Sequence, residues 1–135
     1  MILITGATGH IGNVLVHELA RLYPDEVLRV FVLPHEHLQM FDQLTLQLHF
    51  GDIRDAAAVQ RAVQGARLVF HLAGLIDTSL LPGTRITEIN VGGTRNVVTA
   101  CEQNPGCRLV YVSSVHALPD LPAGETIREV ADFPV

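Results

Sequence analysis

The chain has 135 residues, of which 48% are hydrophobic, and a formal net charge of −5. This length corresponds to one domain, and the acidic balance without a run of basic residues argues against a nucleic-acid partner. No segment reaches the ~18 apolar residues of a membrane span, and no signal-peptide pattern is present. We therefore expect no membrane partner and a cytoplasmic location.

An apolar run at residues 1–4 leads into a glycine-rich segment, Thr5-Gly6-Ala7-Thr8-Gly9-His10-Ile11-Gly12. The pattern predicts a strand over about Met1–Thr5 and a helix over about His10–Leu22, which would bury one apolar face: Ile11, Val14, Leu15, Leu19 and Leu22. Glycines let the backbone approach a ligand closely, and the amides at a helix start attract anions. The flanking strand and helix favour a phosphate-binding loop over a tight turn without a ligand.

Further apolar runs alternate with helical patterns along the rest of the chain. Strands are predicted at about 27–33, 46–50, 67–72 and 107–113, and helices at about 55–64 and 84–103. The longer helix would face the sheet with Ile86, Ile89, Gly93, Val97 and Ala100. Segments 35–44, 73–83 and 115–135 are predicted as loops, the first with one helical turn. This alternation predicts the α/β class, a doubly wound, Rossmann-like parallel sheet with five strands.

The residues that end the second strand bear on the choice of dinucleotide. In such sheets an acidic residue there binds the ribose hydroxyls of NAD, or an arginine binds the phosphate of NADP. The sequence has Val32-Leu33-Pro34 at this place, while Glu36 comes two or three residues late. Arg29 comes too early and is expected to point away. The preference between NAD and NADP therefore stays open.

Several polar or reactive side chains have an ordinary structural interpretation. Asp55 is expected to cap the N-terminus of the following helix, and His71 to be a packed, hydrogen-bonded core residue. Tyr111 is expected to be packed in the middle of the fifth strand. No metal site is expected, because the remaining candidates are interpreted as a solvated turn and as two half-buried thiols in a reduced cytoplasm: His35 with His37, and Cys101 with Cys107.

Five segments together resemble the extended short-chain dehydrogenase/reductase superfamily, in particular its NAD-dependent epimerase/dehydratase-like members. The first is the T-G-x-x-G-x-x-G pattern that begins at Thr5. The others follow in the order expected of that superfamily: Gly51-Asp52-Ile53-Arg54-Asp55, His71-Leu72-Ala73-Gly74, Asn90-Val91-Gly92-Gly93-Thr94-Arg95-Asn96 and Val112-Ser113-Ser114.

The resemblance implies a dinucleotide cofactor, NAD or NADP, and a small-molecule substrate. It places Asp52 on the adenine amino group, Ile53 beside the adenine ring and Ser113 near the nicotinamide ribose. Ser114 would be the catalytic serine that orients the substrate. The full set of implied cofactor-binding residues is Gly6, Thr8, Gly9, His10, Ile11, Gly12, Asp52, Ile53, Leu72, Ala73, Gly74, Asn90 and Ser113.

The resemblance also implies hydride transfer between nicotinamide and a carbonyl or alcohol, by an oxidoreductase or an epimerase/dehydratase that can form a homodimer. That chemistry uses a Tyr-x-x-x-Lys pair, and the sequence contains no lysine. We therefore expect residues 1–135 to be an NAD(P)-binding portion of a longer enzyme, inactive alone. The alternative is a non-catalytic dinucleotide-binding regulator or sensor. A serine hydrolase using Ser114 and His116 is disfavoured, because no G-x-S-x-G elbow surrounds the serine.

Overall fold

The computed structural model describes residues 1–76, 83–114, 117–118, 121–122, 124–126 and 128. Most of the loop predicted at 115–135, including His116, lies outside the described residues, as do residues 77–82 of the loop predicted at 73–83.

Within the described residues, five parallel strands form one sheet in the order β3-β2-β1-β4-β5. The strands are β1 (Ile2–Thr5), β2 (Leu28–Val32), β3 (Gln47–Phe50), β4 (Leu68–His71) and β5 (Arg108–Tyr111). The chain runs outward from β1 to β3 and then returns to the other side of β1 with β4. The predicted doubly wound sheet is therefore confirmed, with its switch point between β1 and β4.

Helices cover both faces of the sheet. Helix α1 (His10–Leu22), as predicted, lies on one face, and α2 (Ala56–Val63) packs against α4 (Thr94–Glu102) on the other. The long helix predicted at 84–103 is continuous over 84–102, and comprises α3 (Thr84–Thr87), a π-helical segment (Glu88–Gly93) and α4. A 3-10 turn at residues 39–41 supplies the helical turn predicted in segment 35–44.

The central strand β1 is buried on both sides, as expected of a parallel strand between two helical layers. Ile2 and Ile4 pack with Val16 of α1, whereas Leu3 packs on the opposite face with Val59 of α2 and other residues. The strand thereby fixes the position of the glycine loop that follows it.

The face that α1 buries differs from the predicted one. Ile11, Val14 and Leu22 are 54–59% exposed, and the helix instead buries Gly12, Val16 and Leu19. The physical reason is the backbone of Gly6, which leaves no room for a Cβ on Gly12 and holds that side of the helix against the loop. The prediction for Leu19 is confirmed, and Leu15 is partly buried against the same core.

Tyr111 was predicted to be packed in mid-strand, and this prediction is wrong. It is the last residue of β5 and is 52% exposed, although its ring stacks on His71 at a centroid distance of 5.6 Å. The reason is that β5 is shorter than predicted and is the outermost described strand on its side of the sheet. Arg29, by contrast, points away from the ligand edge as predicted, and donates to the carbonyls of Ala62 and Gln64.

The two cysteines are free and half-buried, as predicted. Both pack against the hydrophobic core on the side of the sheet that α2 and α4 cover. Burial and a hydrogen bond with Cys107 raise the pKa of Cys101 to about 12. Cys101 is therefore a protonated thiol at neutral pH and a poor nucleophile.

His71 links β1, β4 and α4, as the core interpretation predicted. The side chain is 1% exposed. Its Nδ1 lies 2.7 Å from the Thr5 hydroxyl and its Nε2 lies 2.9 Å from the Thr94 hydroxyl. The Thr5 hydroxyl also accepts from the backbone N–H groups of Leu72 at 3.3 Å and Ala73 at 3.2 Å. Because these two bonds use both of its lone pairs, it donates its own proton to Nδ1, and Nε2–H donates to Thr94.

Burial lowers the pKa of His71 from 6.5 to about 4. As the pH falls, the unfolded chain takes up this proton first, so stability that is complete above pH 6.5 is lost progressively toward pH 4. We expect His71 to lower the free energy of unfolding by about 2 kcal/mol between pH 7.5 and 4.5. Urea denaturation across this range should show that His71→Asn removes most of this pH dependence.

His49→Asn is the control, because His49 lies partly exposed on the edge strand β3. Its burial also lowers its pKa, but the variant should keep the larger dependence that His71 causes. Identical pH profiles for the natural protein and His71→Asn would contradict this account of the histidine.

Candidate functional site

A cavity of about 320 Å³ lies at the carboxyl ends of β1 to β4, at the switch point of the sheet. This is the place where open α/β sheets bind ligands. Eight of the residues predicted to bind a cofactor line it: Gly6, Thr8, Gly9, Asp52, Ile53, Leu72, Ala73 and Gly74. Residues that the sequence places far apart are thus brought to one edge of the sheet.

Gly6 and Gly12 are required by packing within the glycine loop. Gly6 adopts φ +68°, and a Cβ there would lie 2.6 Å from the backbone N of Ala73. A Cβ on Gly12 would overlap the Gly6 carbonyl. Both glycines therefore hold the end of β1 against the end of β4 and the start of α1.

Gly9 is different, because it is exposed at the cavity and a Cβ there would meet a single described atom within 4 Å. It occupies the N-cap of α1, and the nearest atom to a Cβ there would be the Gly6 carbonyl oxygen at 3.2 Å. Glycine cannot cap the amides of the first helical turn with a side chain, so these amides remain available to a ligand. Helix α2 shows the contrast: Asp55 caps it as predicted, accepting from Ala57 N–H at 2.9 Å and Ala58 N–H at 3.1 Å.

Asp52 lies on the β3 side of the cavity and is paired with Arg54. The Arg54 guanidinium donates to its carboxylate at 2.6 Å and reaches Glu88 at 3.4 Å. Hydrogen bonds from Arg54 hold the pKa of Asp52 below its usual range, so the carboxylate is ionised and can accept a hydrogen bond at neutral pH.

Asn90 fixes the loop that follows β4. Its amide oxygen accepts from the Leu75 N–H at 2.7 Å, and its amide nitrogen donates to the Leu75 carbonyl at 2.9 Å. It lies in the π-helical segment, a distortion that is frequent at functional sites. One turn along, Gly93 makes room for Ile53, whose side chain would be only 2.7 Å from a Cβ on that glycine. The helix thus positions Ile53 at the cavity wall.

The protein-family model for the 3-beta hydroxysteroid dehydrogenase/isomerase family matches residues 3–132. The chain belongs to this family. Its resemblance to the extended short-chain dehydrogenase/reductase superfamily is thereby confirmed. A curated relative, sterol demethylase protein B of Methylococcus capsulatus, is 32% identical over 124 residues, which are 90% of this chain and 37% of the relative.

Human 3 beta-hydroxysteroid dehydrogenase type 7 is 38% identical over 125 residues, which are 86% of this chain and 33% of that protein. Among solved structures, a mutant of uronate dehydrogenase from Agrobacterium tumefaciens complexed with NAD is 28% identical. It superimposes with a TM-score of 0.76 over 93% of this chain and 45% of that structure. The chain therefore spans about a third of the length of the two curated relatives.

Not every residue predicted from the superfamily pattern lines the cavity of this 3-beta hydroxysteroid dehydrogenase/isomerase family member. His10 and Ile11 are exposed at the start of α1, and Gly12 is buried beneath the loop. Asn90 is hydrogen-bonded to the Leu75 backbone and is not among the residues that line the cavity. Ser113 and Ser114 are exposed beyond the end of β5. These assignments stay predictions.

The cavity also includes residues that the sequence predictions did not assign to it. Charged ones are Glu36, Arg54 and Arg85, and the apolar wall includes Phe31, Leu33, Leu75 and Ile89. Glu36 was judged too late in the sequence, and Arg54 lies within the segment 51–55 at the one position to which the superfamily pattern gives no residue type. No signal in the sequence indicated Arg85, because its position depends on how the long helix approaches the sheet.

Among the described residues, no group of three or more His, Cys, Asp or Glu side chains is arranged to hold a metal ion. None of the helices described is both long enough and apolar enough to cross a membrane.

Gly6→Ala should destabilise the fold by about 3 kcal/mol, for two reasons. The methyl group would overlap the backbone at Ala73, and alanine would be strained in the left-handed backbone conformation of Gly6. Gly65→Ala is the matched control: Gly65 has φ +75°, and no atom of the described part of the chain lies within 4 Å of a Cβ there. It should cost about 1 kcal/mol, the strain alone. Urea denaturation measures both, and equal losses would show that the approach of the β1 and β4 ends is not a tight constraint.

Proposed function

We propose that residues 1–135 form the NAD(P)-binding domain of an oxidoreductase or epimerase/dehydratase of the extended short-chain dehydrogenase/reductase type. The reaction is hydride transfer between nicotinamide and an alcohol or carbonyl carbon of a small-molecule substrate. The observation that carries the proposal is the exposed Gly9, which begins a helix without a side-chain cap and lines the switch-point cavity.

The cavity fits the parts of a dinucleotide. The amides that begin α1 suit the pyrophosphate, since a helix N-terminus stabilises negative charge. Asp52 is an ionised acceptor for the adenine amino group, and Ile53 offers an apolar surface to the ring. The structure of the Agrobacterium uronate dehydrogenase mutant, which superimposes on this chain, holds NAD.

When bound, the nicotinamide supplies the hydride donor or acceptor. In the alcohol-to-carbonyl direction, the substrate C–H electron pair leaves as hydride and the O–H proton must pass to a base. We assign to Ser114 the hydrogen bond that orients the substrate oxygen, and to Ser113 a place near the nicotinamide ribose. Because residues 1–135 contain no lysine, the proposal assigns the Tyr–Lys proton-transfer pair to residues outside this sequence.

The names of the relatives supply substrates for a first test. They include a 3 beta-hydroxysteroid dehydrogenase and a uronate dehydrogenase, so a 3β-hydroxysteroid and a uronate are the first compounds to assay. Dinucleotide binding without turnover on any alcohol or carbonyl compound would favour the alternative, a regulator or sensor. A homodimer and a cytoplasmic location stay predictions.

Gly9→Val should weaken NAD(P) binding about 100-fold, because the side chain would occupy the space next to the helix-start amides that the pyrophosphate needs. Isothermal titration calorimetry of the purified protein measures this. Gly83→Val is the matched control, since Gly83 is also a helix N-cap, with φ −74° and ψ 165° against −70° and 168° for Gly9. Among the described residues, no atom lies within 4 Å of a Cβ on Gly83. Unchanged affinity in folded Gly9→Val would refute the phosphate-loop assignment.

Ser114→Ala should leave NAD(P) affinity within about twofold and lower kcat about 100-fold, because the lost hydrogen bond acts on the reacting oxygen and not on the dinucleotide. The assay uses the full-length protein, because residues 1–135 are expected to be inactive alone. Its substrate is whichever of the two test compounds the full-length protein oxidises, and NAD(P)H absorbance is the readout. Turnover equal to that of the natural protein would remove Ser114 from the mechanism.

A further inference from the structure

The end of β2 presents an apolar surface to the cavity. Val32 is buried and Leu33 is 42% exposed, and both line the cavity. Neither side chain can hydrogen-bond to a ribose hydroxyl or hold a phosphate. The place where a dinucleotide site usually decides between NAD and NADP therefore carries no deciding group in this chain.

Glu36 reaches the same cavity by a different route. The chain turns immediately after β2, and the Glu36 N–H donates to the Leu33 carbonyl at 3.2 Å. Pro34 stands at the second position of this turn, where its fixed φ is favourable. The turn brings Glu36 back to line the cavity with Gly6 and Gly9, and its side chain is only partly exposed.

The cavity also contains arginines that could attract a 2′-phosphate, so the balance of charge matters. Arg54 is engaged by Asp52 at 2.6 Å and by Glu88 at 3.4 Å, which leaves little of its positive charge uncompensated. Arg85 lines the cavity from α3 and is exposed to solvent, where screening weakens its attraction. Glu36 adds a negative charge on the β2 side.

We propose that Glu36 selects NAD over NADP, in place of the missing acidic residue at the strand end. Its carboxylate accepts hydrogen bonds from the adenosine ribose hydroxyls, and charge-assisted bonds of this kind are strong. A 2′-phosphate would remove one donor and place two negative groups side by side. The inference rests on the proposed function, because it requires that the cavity bind the adenosine half of the dinucleotide.

The test is calorimetric titration of the purified protein with NAD⁺ and, separately, with NADP⁺. The natural protein should bind NAD⁺ at least about tenfold more tightly than NADP⁺. Glu36→Gln removes the charge with little change of shape, and should reduce this ratio to about threefold or less, in large part through tighter NADP⁺ binding. Glu102→Gln, the same change at the end of α4 and away from the cavity-lining residues, should leave the ratio unchanged.

Three results would overturn the inference. A ratio unchanged in folded Glu36→Gln, with both dinucleotides still bound, would remove Glu36 from the selection and leave the proposed function intact. A natural protein that prefers NADP⁺, and loses that preference in Arg85→Gln, would assign selection to the arginine. Binding of neither dinucleotide by the folded natural protein would refute the proposed function together with this inference.

Discussion

The close approach of the β1 end to the β4 end is the constraint on which the site depends. At Gly6 the backbone turns with a positive φ and lies so near Ala73 that no Cβ fits between them. The Thr5 hydroxyl bonds both to His71 and to the Ala73 N–H, so side-chain hydrogen bonds reinforce the same contact. This packing orients the glycine loop and opens Gly9, at the start of α1, to the cavity.

The glycines of the loop divide into two roles, which the motif alone does not separate. Gly6 and Gly12 serve packing, because a Cβ at either would overlap neighbouring backbone. Gly9 is exposed at the start of α1, where no side chain caps the first amides. Charge is divided in a similar way. Arg54 compensates Asp52 and holds it ionised, while Glu36 lines the cavity from the β2 side.

The doubly wound parallel sheet, the bounds of α1, the Asp55 cap and the buried His71 were all predicted from the sequence. Local periodicity and turn chemistry decide these features. The sequence did not correctly predict which face of α1 is buried, since the hydrophobic pattern does not reveal that Gly12 must face the Gly6 backbone. Tertiary geometry also decided the position of Glu36. Counting residues from the strand end placed it too late, and only the turn after β2 returns it to the cavity.

The central claim is that this cavity binds a dinucleotide with its pyrophosphate at the start of α1. The most direct measurement is a crystal structure of the protein grown with saturating NAD⁺. The account predicts pyrophosphate oxygens within hydrogen-bond distance of the amides that begin α1, and the adenine beside Ile53 with its amino group on Asp52. Dinucleotide density at another surface, with the Gly9 face empty, would contradict it.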